Sequence, residues 1–583
     1  MATLQELSFV QGPSEPALLE LSLGQLLQAQ SVKHSRSDAI VCSWTGIRYT
    51  YDQLYKRSRQ LAKALLALGI RRGDRVGILS GNCERYVEVF FAASLIGGIV
   101  VVLNNTYTPK ECVGALEHSG CRILFTSSKI GKKSMLPHLE LLNGFGNGTV
   151  VSCLKNIVLI RATEQPLSES TMLYDEFLSQ GSRITNADLD TKCDSVHFQD
   201  VANLQYTSGT TGEPKAAMLT HYNIINNGHF IGHRMNLTEQ DSICCPPPLF
   251  HCFGLVLGLL ACLTNGATLV LPSETFDAAA VLEAVAKENC TGLHGVPTMF
   301  IAELDHMQQQ DFGKINLRTG IAAGSPVSPS LMARLQQIFG LPDLTITYGM
   351  TETSPASFMT SVDDALQEKL STVGRILPHT TAKVINDKDE IVPRGVPGEL
   401  CVSGYNLQVG YFNDPQMTNE AMVRDKDGRL WMRTGDEVTL DERGYCRITG
   451  RIKDIIIRGN VPEEVWRLDP CGENIYPLEI EERLAQHPNI SQAAVVGLHD
   501  RKYGEVPAAF LEGPKLNSSS RPTPDELQNW VKEALGRHKV PVYLFWLGDE
   551  GVCQSFPVTG SGKLKKNELR ELGNALVIAE TSS

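Results

Sequence analysis

The first half of the chain alternates between helix-like and strand-like patterns of hydrophobic positions. Apolar side chains recur at helical spacing over residues 50–69, which predicts an amphipathic helix. The short apolar runs 75–79 and 99–103 predict buried strands, with a helix expected over 86–95 between them. The same alternation predicts a helix around 112–117, strands at 122–126, 268–271 and 292–295, and helices at 278–288 and from Pro297 onward. Strands that alternate with helices predict an α/β fold, with largely parallel sheets covered by helices on both faces.

The hydrophobic pattern changes after residue 383, where short strands are separated by turns rich in Gly, Pro and Asp. This texture predicts a β-rich subdomain over residues 383–450. A second unit of mixed helices and strands begins near Asp454. Its predicted elements are strands at 455–458 and 493–497 and helices at 478–487 and 523–535.

The length of the chain, 583 residues, is too great for one compact hydrophobic core. We expect a large N-terminal domain over residues 1–452 and a smaller, mobile α+β domain over residues 453–583. The boundary is placed near Arg451, where the β-rich texture ends. Residues 129–200 have a weak pattern and carry no motif that we can place.

Composition and charge narrow the class of protein. Hydrophobic residues make up 42% and charged residues 20% of the chain, as in ordinary globular proteins. The net charge of −12 argues against a nucleic-acid partner, because nucleic-acid-binding domains are usually basic. Fifteen cysteines occur without regular spacing, which predicts reduced thiols in the core rather than disulfides or a zinc site.

The apolar runs 90–103 and 250–263 are the two candidates for membrane segments. Each has 14 residues, whereas a membrane-spanning helix needs about 20. No secretory signal begins the chain, and it does not end in the peroxisomal address Ser-Lys-Leu. We therefore expect no transmembrane segment and a cytoplasmic location, with the peroxisome as the alternative. The oligomeric state is left open.

Residues 206–215 concentrate more ligand-binding chemistry than any other segment. They read Tyr-Thr-Ser-Gly-Thr-Thr-Gly-Glu-Pro-Lys and follow the end of a predicted strand. Hydroxyls and backbone N–H groups donate to phosphate oxygens, glycine allows close approach, and lysine adds positive charge. The alternative is a surface turn rich in small polar residues. The predicted polyphosphate-binding residues are Thr207, Ser208, Gly209, Thr210, Thr211, Gly212 and Lys215.

This segment departs from the usual P-loop, because two residues separate Gly209 from Gly212 and Ala216 follows Lys215. The whole run instead resembles the signature of the adenylate-forming, or AMP-binding, superfamily. That superfamily includes acyl-CoA synthetases, aryl-CoA ligases, luciferases of the firefly type and the adenylation domains of peptide synthetases. Five further segments match its pattern: Ala322-Ala-Gly-Ser-Pro326, Tyr348-Gly-Met-Thr-Glu352, Arg433-Thr-Gly-Asp436, Gly450-Arg-Ile-Lys-Asp454 and Pro557-Val-Thr-Gly-Ser-Gly-Lys563.

Thr351 and Glu352 stand at the end of a predicted strand. A threonine and a glutamate in such a place can offer a hydroxyl to a phosphate and a carboxylate to Mg²⁺, which prefers oxygen ligands. The alternative is an exposed polar pair. The resemblance implies that Thr351 binds phosphate, that Glu352 is the metal ligand and that Tyr348 stacks on adenine. Gly349 and Met350 belong to the same nucleotide-binding motif.

The other motifs imply further contacts with the nucleotide. Gly324 and Ser325 lie in a loop that, by resemblance, flanks the adenine and acyl pockets. Asp436 is similar to the family's ribose-binding carboxylate, and Arg451 is expected to hold the ribose too. Lys453 corresponds to the hinge between the two domains.

Lys563 and His251 are the remaining catalytic candidates. Nearby glycines predict a mobile loop that presents Lys563, although an isolated lysine is more often a surface residue. By resemblance this lysine bridges the acyl carboxylate and the α-phosphate and stabilises charge during attack. His251, in Pro248-Leu-Phe-His-Cys-Phe-Gly254, is either a core histidine or, as in the family, a gate beside the carboxylate and pantetheine region.

The resemblance covers nearly the whole chain and implies an ATP-dependent carboxylic acid–CoA ligase that uses ATP, Mg²⁺ and coenzyme A. Medium-chain acyl-CoA ligases are the nearest subgroup, and fungal relatives that activate acids for siderophores or toxins are similar. One alternative is an adenylate-forming enzyme with another acceptor, such as a carrier-protein thiol. A second alternative is a nucleotide-binding regulatory protein without catalysis. The identity of the acid and its pathway are left open.

One segment departs from the family pattern. Arg458-Gly459 and Gly472-Glu-Asn-Ile-Tyr-Pro477 are adjacent in the family, but twelve extra residues, 460–471, separate them here. The insert contains prolines and charges and is expected to form a loop. It is either a genuine elaboration or an error in the gene structure. Since the loop faces the active site in the thioester step, the insert bears more on that step than on adenylation.

Overall fold

The computed structural model describes residues 6–143, 151–161, 171–207, 215–310, 312–324, 327, 329–458, 473–500, 503–513, 521–560 and 562–582. The strands in these residues are β1 (Phe9–Gln11), β2 (Asp38–Cys42), β3 (Ile47–Thr50), β4 (Arg75–Leu79), β5 (Ile99–Val102), β6 (Cys121–Thr126), β7 (Lys129–Ile130), β8 (Lys133–Ser134), β9 (Asn156–Leu159), β10 (Thr171–Leu173), β11 (Val201–Thr207), β12 (Lys215–Thr220), β13 (Ser242–Cys244), β14 (Thr268–Leu271), β15 (Gly292–Gly295), β16 (Thr319–Ala323), β17 (Asp343–Gly349), β18 (Ala356–Met359), β19 (Arg375–Ile376), β20 (Thr380–Ile385), β21 (Gly398–Gly404), β22 (Met422–Arg424), β23 (Leu430–Leu440), β24 (Cys446–Arg451), β25 (Ile456–Arg458), β26 (Glu473–Ile475), β27 (Gln492–Asp500), β28 (Gly504–Glu512) and β29 (Tyr543–Trp546).

The helices follow the same order along the described chain. They are α1 (Leu23–Lys33), α2 (Tyr51–Ala67), α3 (Glu84–Leu95), α4 (Pro109–Ser119), α5 (Leu136–Leu142), α6 (Tyr174–Ser179), α7 (Asn186–Asp194), α8 (His221–Arg234), α9 (Ala261–Asn265), α10 (Ala278–Lys287), α11 (Pro297–Met307), α12 (Pro329–Arg334), α13 (Leu366–Ser371), α14 (Pro415–Ala421), α15 (Pro477–Ala485), α16 (Pro524–Ala534) and α17 (Lys566–Ser582). Short 3₁₀ segments occur at Gln180–Arg183, Thr351–Thr353, Ile452–Asp454 and Arg537–Lys539, and π-helical segments at Phe253–Leu260 and Leu335–Phe339.

Two largely parallel sheets form the centre of the large domain. The first has the order β10-β9-β6-β4-β5-β11-β12, and only its last pair, β11 and β12, is antiparallel. The second has the order β19-β18-β17-β16-β15-β13-β14-β2-β3, with parallel pairing from β17 to β2. The predicted α/β class is confirmed. The weakly patterned region 129–200 contributes β9 and β10, which extend the first sheet.

Hydrophobic clusters explain this layered arrangement. The largest cluster joins side chains of both sheets, such as Ile40 and Val76, with those of helices α1, α2, α3 and α8. A second cluster lies under α10, α11 and α12 on the outer face of the second sheet, and a third lies under α4 and α5 on the first. Both parallel sheets are therefore covered on both faces, as buried parallel strands require.

Helix α2 shows how local sequence sets these elements. Thr50 caps its N-terminus, since the Thr50 hydroxyl accepts from the Gln53 N–H and the Gln53 side chain accepts from the Thr50 N–H. Leu54, Leu61 and Leu65 follow at helical spacing and are fully buried. The amphipathic helix predicted over residues 50–69 is confirmed.

The apolar runs 90–103 and 250–263 form buried helices and a buried strand of the large domain. The first covers the end of α3 and strand β5, and the second covers the π-helical segment Phe253–Leu260 and helix α9. Within the described residues, no helix combines the length and the apolar character that crossing a bilayer requires.

The described chain contains a third sheet, a smaller fourth sheet and the two-stranded antiparallel pair β7 and β8. The third, in the β-rich part, has the order β1-β20-β21-β23-β22, with β24 paired to β23. Strand β1 reaches it from the start of the chain and pairs antiparallel with β20. The C-terminal domain contains the sheet β26-β25-β28-β27, with β29 parallel to β28, and helices α15, α16 and α17 pack on it.

Candidate active site

The predicted phosphate-binding segment connects two strands of the first sheet. Thr207 ends β11 and Lys215 begins β12, and these residues are register partners in the antiparallel pair. The Thr207 hydroxyl lies 3.4 Å from the Lys215 carbonyl oxygen and donates to it. Residues 208–214 lie outside the described residues, so the roles of Ser208, Gly209, Thr210, Thr211 and Gly212 stay predictions. The two ends of the segment are nevertheless held together at the carboxyl end of β11.

Thr351 and Glu352 follow the carboxyl end of β17 in a 3₁₀ segment, and both are buried. The Glu352 Oε1 atom accepts a hydrogen bond of 2.8 Å from the Tyr411 hydroxyl. The Cys252 Sγ atom lies 3.6 Å from the Thr351 hydroxyl. A carboxylate whose orientation is fixed by a neutral donor fits a Mg²⁺ ligand, because carboxylate oxygens are the protein donors that this ion prefers.

Asp436 is a buried carboxylate with two donors. Its Oδ2 atom accepts from the Tyr348 hydroxyl at 2.6 Å, and its Oδ1 atom lies 3.1 Å from the Arg451 Nε atom. Asp436 and Arg451 are register partners on β23 and β24, so the sheet itself brings them together. Burial and the neighbouring Asp436 raise the pKa of Tyr348 well above its ordinary value, and the phenol remains a donor.

Lys563 belongs to the C-terminal domain, and its side chain lies near Asp436 and Glu352 of the large domain. Its Cε atom lies 3.9 Å from the position that a Cβ atom on Gly324 would occupy. Gly324 has φ +88°, which favours glycine, and its missing side chain leaves room for the lysine. Burial lowers the pKa of Lys563, and Arg451 lowers it further, whereas Cys252, Asp436 and Glu352 raise it. A carboxylate or phosphate beside the ammonium would favour its charged form.

His251 lies beside Lys563 at the start of the π-helical segment. Its Nδ1 atom accepts a hydrogen bond of 3.1 Å from the Phe253 backbone N–H. Burial, together with the positive charge of Lys563, lowers the pKa of His251 to about 3. The imidazole is therefore neutral at ordinary pH, with its proton on Nε2, and can act as a hydrogen-bond donor there.

The lysine loop, residues 557–563, packs against the large domain through its glycines; Ser561 lies outside the described residues. A Cβ atom on Gly560 would lie 2.7 Å from the Asn104 Oδ1 atom, and one on Gly562 would lie 3.1 Å from a Val296 methyl carbon. Asn104 follows strand β5 and Val296 follows β15. The loop thus occupies a cleft between the carboxyl ends of strands from both parallel sheets.

The structure brings most of the predicted residues into one site. Lys453 lies in the 3₁₀ segment between β24 and β25, and burial followed by Arg451 lowers its pKa. Gly349 packs against the Pro355 carbonyl, and Met350 packs against the hydrophobic cluster of the β-rich sheet. Contact of either residue with a nucleotide stays a prediction. Ser325 lies outside the described residues.

Sequence reasoning missed Tyr411 and Cys252. Cys252 stands in the motif that suggested His251, so its neighbourhood was available as a signal. Tyr411 is 59 residues from Glu352 along the chain and had no local signal in the sequence.

Comparison with known proteins agrees with this geometry. The family model of the AMP-binding enzymes matches residues 27–412, and the model of the AMP-binding enzyme C-terminal domain matches residues 479–563. The acyl-CoA ligase sidI of Aspergillus fumigatus is 49% identical over 98% of this chain and 94% of its own length. The human mitochondrial medium-chain acyl-CoA ligase ACSF2 is 35% identical over 97% of this chain and 89% of its own length.

The fold is also found among solved structures. The anthranilate CoA ligase AuaEII in complex with anthranoyl-AMP has a TM-score of 0.81, with 23% identity, and covers 96% of this chain and 98% of its own. That likeness concerns the fold. The two family models and the sequence relatives go further: the chain belongs to the AMP-binding, adenylate-forming enzyme family.

Proposed function

We propose that this protein is an ATP-dependent carboxylic acid–CoA ligase. The carboxylate of the acid attacks the α-phosphorus of MgATP, the bond to the β-phosphate breaks, and acyl-AMP and pyrophosphate result. The thiolate of CoA then attacks the acyl carbon and releases AMP. The observation that carries this proposal is the position of Lys563, which enters the large-domain site beside Gly324 and within electrostatic reach of Asp436 and Glu352.

The residues of the large domain bind and orient the nucleotide. Asp436 accepts from the ribose hydroxyls while Arg451 holds the carboxylate in place, and Tyr348 packs on adenine. Thr207, Lys215 and Thr351 bind phosphate oxygens, together with the segment between Thr207 and Lys215. Glu352 would hold the Mg²⁺ ion that accompanies ATP, and that ion would offset phosphate charge.

Lys563 supports the chemical step of adenylation. Its ammonium contacts the attacking carboxylate and the α-phosphate, where negative charge accumulates in the transition state, and stabilises that charge. His251 donates from Nε2 toward the carboxylate and does not act as a base, because its pKa is about 3.

The second half-reaction requires Lys563 to leave the site. We place the division between the domains at Lys453, with residues 1–452 on one side and 453–583 on the other, and the smaller domain rotates there. The exposed side chain of Ile452 and the short 3₁₀ segment Ile452–Asp454 support a hinge at this point.

The acid is of small or medium size in our proposal. The medium-chain name of the ACSF2 relative supports this range. The described cysteines are free thiols, which supports a reducing compartment; we propose the cytosol, with the peroxisome as the alternative. We propose no nucleic-acid partner, since the net charge is −12.

The decisive experiment measures both half-reactions over a panel of short and medium-chain acids. Acid-dependent ATP–pyrophosphate exchange without CoA reports adenylation, and the formation of a CoA thioester with release of AMP reports transfer. Both signals with the same acid support the ligase. Exchange without a CoA thioester would point to another thiol acceptor, and neither signal with any acid would point to a nucleotide-binding protein without catalysis.

A further inference from the structure

We propose that Tyr411 is a positioning residue for MgATP, which couples the phosphate-binding lysine, Lys215, to the metal-binding carboxylate, Glu352. This inference rests on the proposed roles of Lys215 and Glu352. It adds a third side chain that touches both of them and that links the two parallel sheets. Tyr411 itself need not touch the substrate; it acts through its two neighbours.

The geometry places the two neighbours on different parts of one buried side chain. The Tyr411 hydroxyl donates to the Glu352 Oε1 atom at 2.8 Å, and the Lys215 Nζ atom lies 5.5 Å from the centroid of the Tyr411 ring. Tyr411 is 7% exposed, so both interactions are largely shielded from water. A hydrogen bond to an ionised carboxylate and a cation–π contact are both strengthened by such shielding.

The backbone around Tyr411 is fixed to the same two elements. The segment 408–412 runs along the free edge of β12 and also reaches the 3₁₀ segment that carries Glu352. Three backbone hydrogen bonds join the segment to β12: Val409 N–H to Met218 O at 2.9 Å, Met218 N–H to Gly410 O at 3.0 Å and Phe412 N–H to Ala216 O at 2.8 Å. A fourth joins it to the 3₁₀ segment, from Gln408 N–H to Glu352 O at 2.9 Å.

A further contact limits the freedom of Tyr411 itself. Its backbone N–H donates to the Thr418 hydroxyl at 2.9 Å, and Thr418 of helix α14 in turn donates to the carbonyl of Asp414, the residue that caps this helix. The ring therefore has little freedom to move away from either neighbour. A positioned ring of this kind sets the separation of Lys215 and Glu352 before the nucleotide arrives.

The hydroxyl and the ring of Tyr411 should affect different parts of nucleotide binding. The hydroxyl fixes one oxygen of Glu352 and so sets the direction of the other, which is what a metal ligand requires from its outer partner. The ring face keeps the Lys215 ammonium near the phosphates. Removing only the hydroxyl should weaken the metal-dependent part of nucleotide binding, and removing the ring should also weaken the metal-independent part.

Calorimetric binding of a non-hydrolysable ATP analogue, measured with Mg²⁺ and again with excess EDTA, separates these parts. With Mg²⁺ we expect Tyr411→Phe to bind the analogue about 10-fold more weakly than wild type, the usual cost of losing an outer partner of a metal ligand. With EDTA the two should bind equally. Tyr411→Leu should bind more weakly than Tyr411→Phe under both conditions.

Two further variants make the result decisive. Tyr445→Phe removes a comparable bond of 2.6 Å, from a tyrosine to Asp364 away from the site, and should bind like wild type under both conditions. Glu352→Gln tests the proposed metal ligand directly. Thermal unfolding of each variant checks that Tyr411→Phe is folded.

The binding results for Glu352→Gln and Tyr411→Phe distinguish four outcomes. Loss of the Mg²⁺-dependent part in both Glu352→Gln and Tyr411→Phe supports the inference. Its loss in Glu352→Gln alone overturns the role of Tyr411 while the metal role of Glu352 stands. If neither variant loses it, both assignments fall. If Tyr411→Phe weakens binding equally with and without Mg²⁺, Tyr411 has only a general structural role, and the inference is wrong.

Discussion

The two lysines of the proposed active site, Lys215 and Lys563, are held in opposite ways. Lys215 is part of a strand in the first parallel sheet, paired with Thr207 and packed on Tyr411. Lys563 belongs to a loop of the C-terminal domain that touches the large domain through glycine positions and van der Waals contacts. The backbone of Lys215 is fixed in the sheet, whereas in our proposal Lys563 leaves the site as its domain rotates. This difference suits a site that performs two successive half-reactions.

The lysine loop is stabilised by hydrogen bonds between its own residues. The Thr559 N–H donates to the Lys563 carbonyl at 2.7 Å, and the Lys563 N–H donates to the Thr559 hydroxyl at 3.1 Å. Val558 and Leu564 form an isolated β-bridge on either side. The turn that presents the lysine is therefore closed by its own hydrogen bonds, so the proposed domain rotation would move it as a unit.

Removal of the Lys563 side chain should have the largest effect on the two half-reactions. We expect Lys563→Ala to slow acyl-AMP formation by roughly 10²-fold or more, because a preorganised positive charge is lost from the transition state. Thioester formation from supplied acyl-AMP should suffer much less, since Lys563 has then left the site. Single-turnover kinetics of the two half-reactions measure both effects.

Lys565→Ala is the matched control for that variant. Lys565 lies two residues further along, is exposed, and pairs with Glu568 on its own side of the loop. Its removal should leave both half-reactions near wild type. An equal loss in the two half-reactions of Lys563→Ala would contradict the assignment of Lys563 to adenylation alone.

The docking of the lysine loop can be blocked without touching the lysine. We expect Gly560→Ala to slow adenylation about 10-fold, because its Cβ would lie 2.7 Å from the Asn104 Oδ1 atom and overpacking typically costs 1–3 kcal/mol. The φ angle of Gly560 is not in the left-handed region, so the backbone itself accepts alanine. Thioester formation from supplied acyl-AMP should be near wild type.

The double variant Gly560→Ala with Asn104→Ala checks the cause. Truncating Asn104 removes the two atoms nearest to the new Cβ and leaves the Thr106 methyl carbon at 3.0 Å, so adenylation should recover in part in the double variant relative to Gly560→Ala alone. A double-mutant cycle measures this coupling. Purely additive losses would show that the two residues do not meet in the docked state.

Many strands and helices of the large domain could be predicted from the sequence. The predicted strand ranges 75–79 and 268–271 coincide with β4 and β14 as the structure has them. Short apolar runs bounded by turn residues identify buried parallel strands, because both faces of such a strand are covered. The position of a candidate site residue was predictable where its motif is local: Thr351 and Glu352 follow a strand end, as predicted.

What could not be predicted depends on contacts distant in sequence. Strand β1 pairs with β20, and no pattern near Phe9 indicates that partner. The run 250–263 is apolar at nearly every position, so it shows no period from which the π-helical segment Phe253–Leu260 could be recognised. Tyr411 was missed for the same reason, because its role follows from the fold and not from its neighbours in the chain.

The hydrogen bond between Tyr476 and Glu437 offers a smaller perturbation of the docked state. The Tyr476 hydroxyl of the C-terminal domain donates to the Glu437 Oε2 atom of β23 at 3.1 Å. Since such a bond contributes about 1 kcal/mol, Tyr476→Phe should shift the domain equilibrium by about fivefold. We expect adenylation to slow and thioester formation to quicken by that amount.

Tyr543→Phe is the control, because it alters a tyrosine that stacks on Phe545 inside the C-terminal domain. It should leave the ratio of the two half-reaction rates unchanged. A parallel fall of both rates in Tyr476→Phe would indicate damage to the fold, and not a shift of the domain equilibrium.

The smallest effect is expected from deleting residues 460–471, which lie outside the described residues. The described ends of the surrounding segment are already neighbours, since Arg458 and Glu473 are register partners on the antiparallel strands β25 and β26. After the deletion, Gly459 and Gly472 would join them as a two-residue Gly-Gly turn, which matches the preferred turns of tight hairpins. The sheet of the C-terminal domain should therefore close without strain. Acid-dependent pyrophosphate release should stay within about twofold of wild type, since loops tolerate changes where their ends lie close. Thioester formation should be equal or faster, and loss of folding or of adenylation would show that the insert is an integrated structural element.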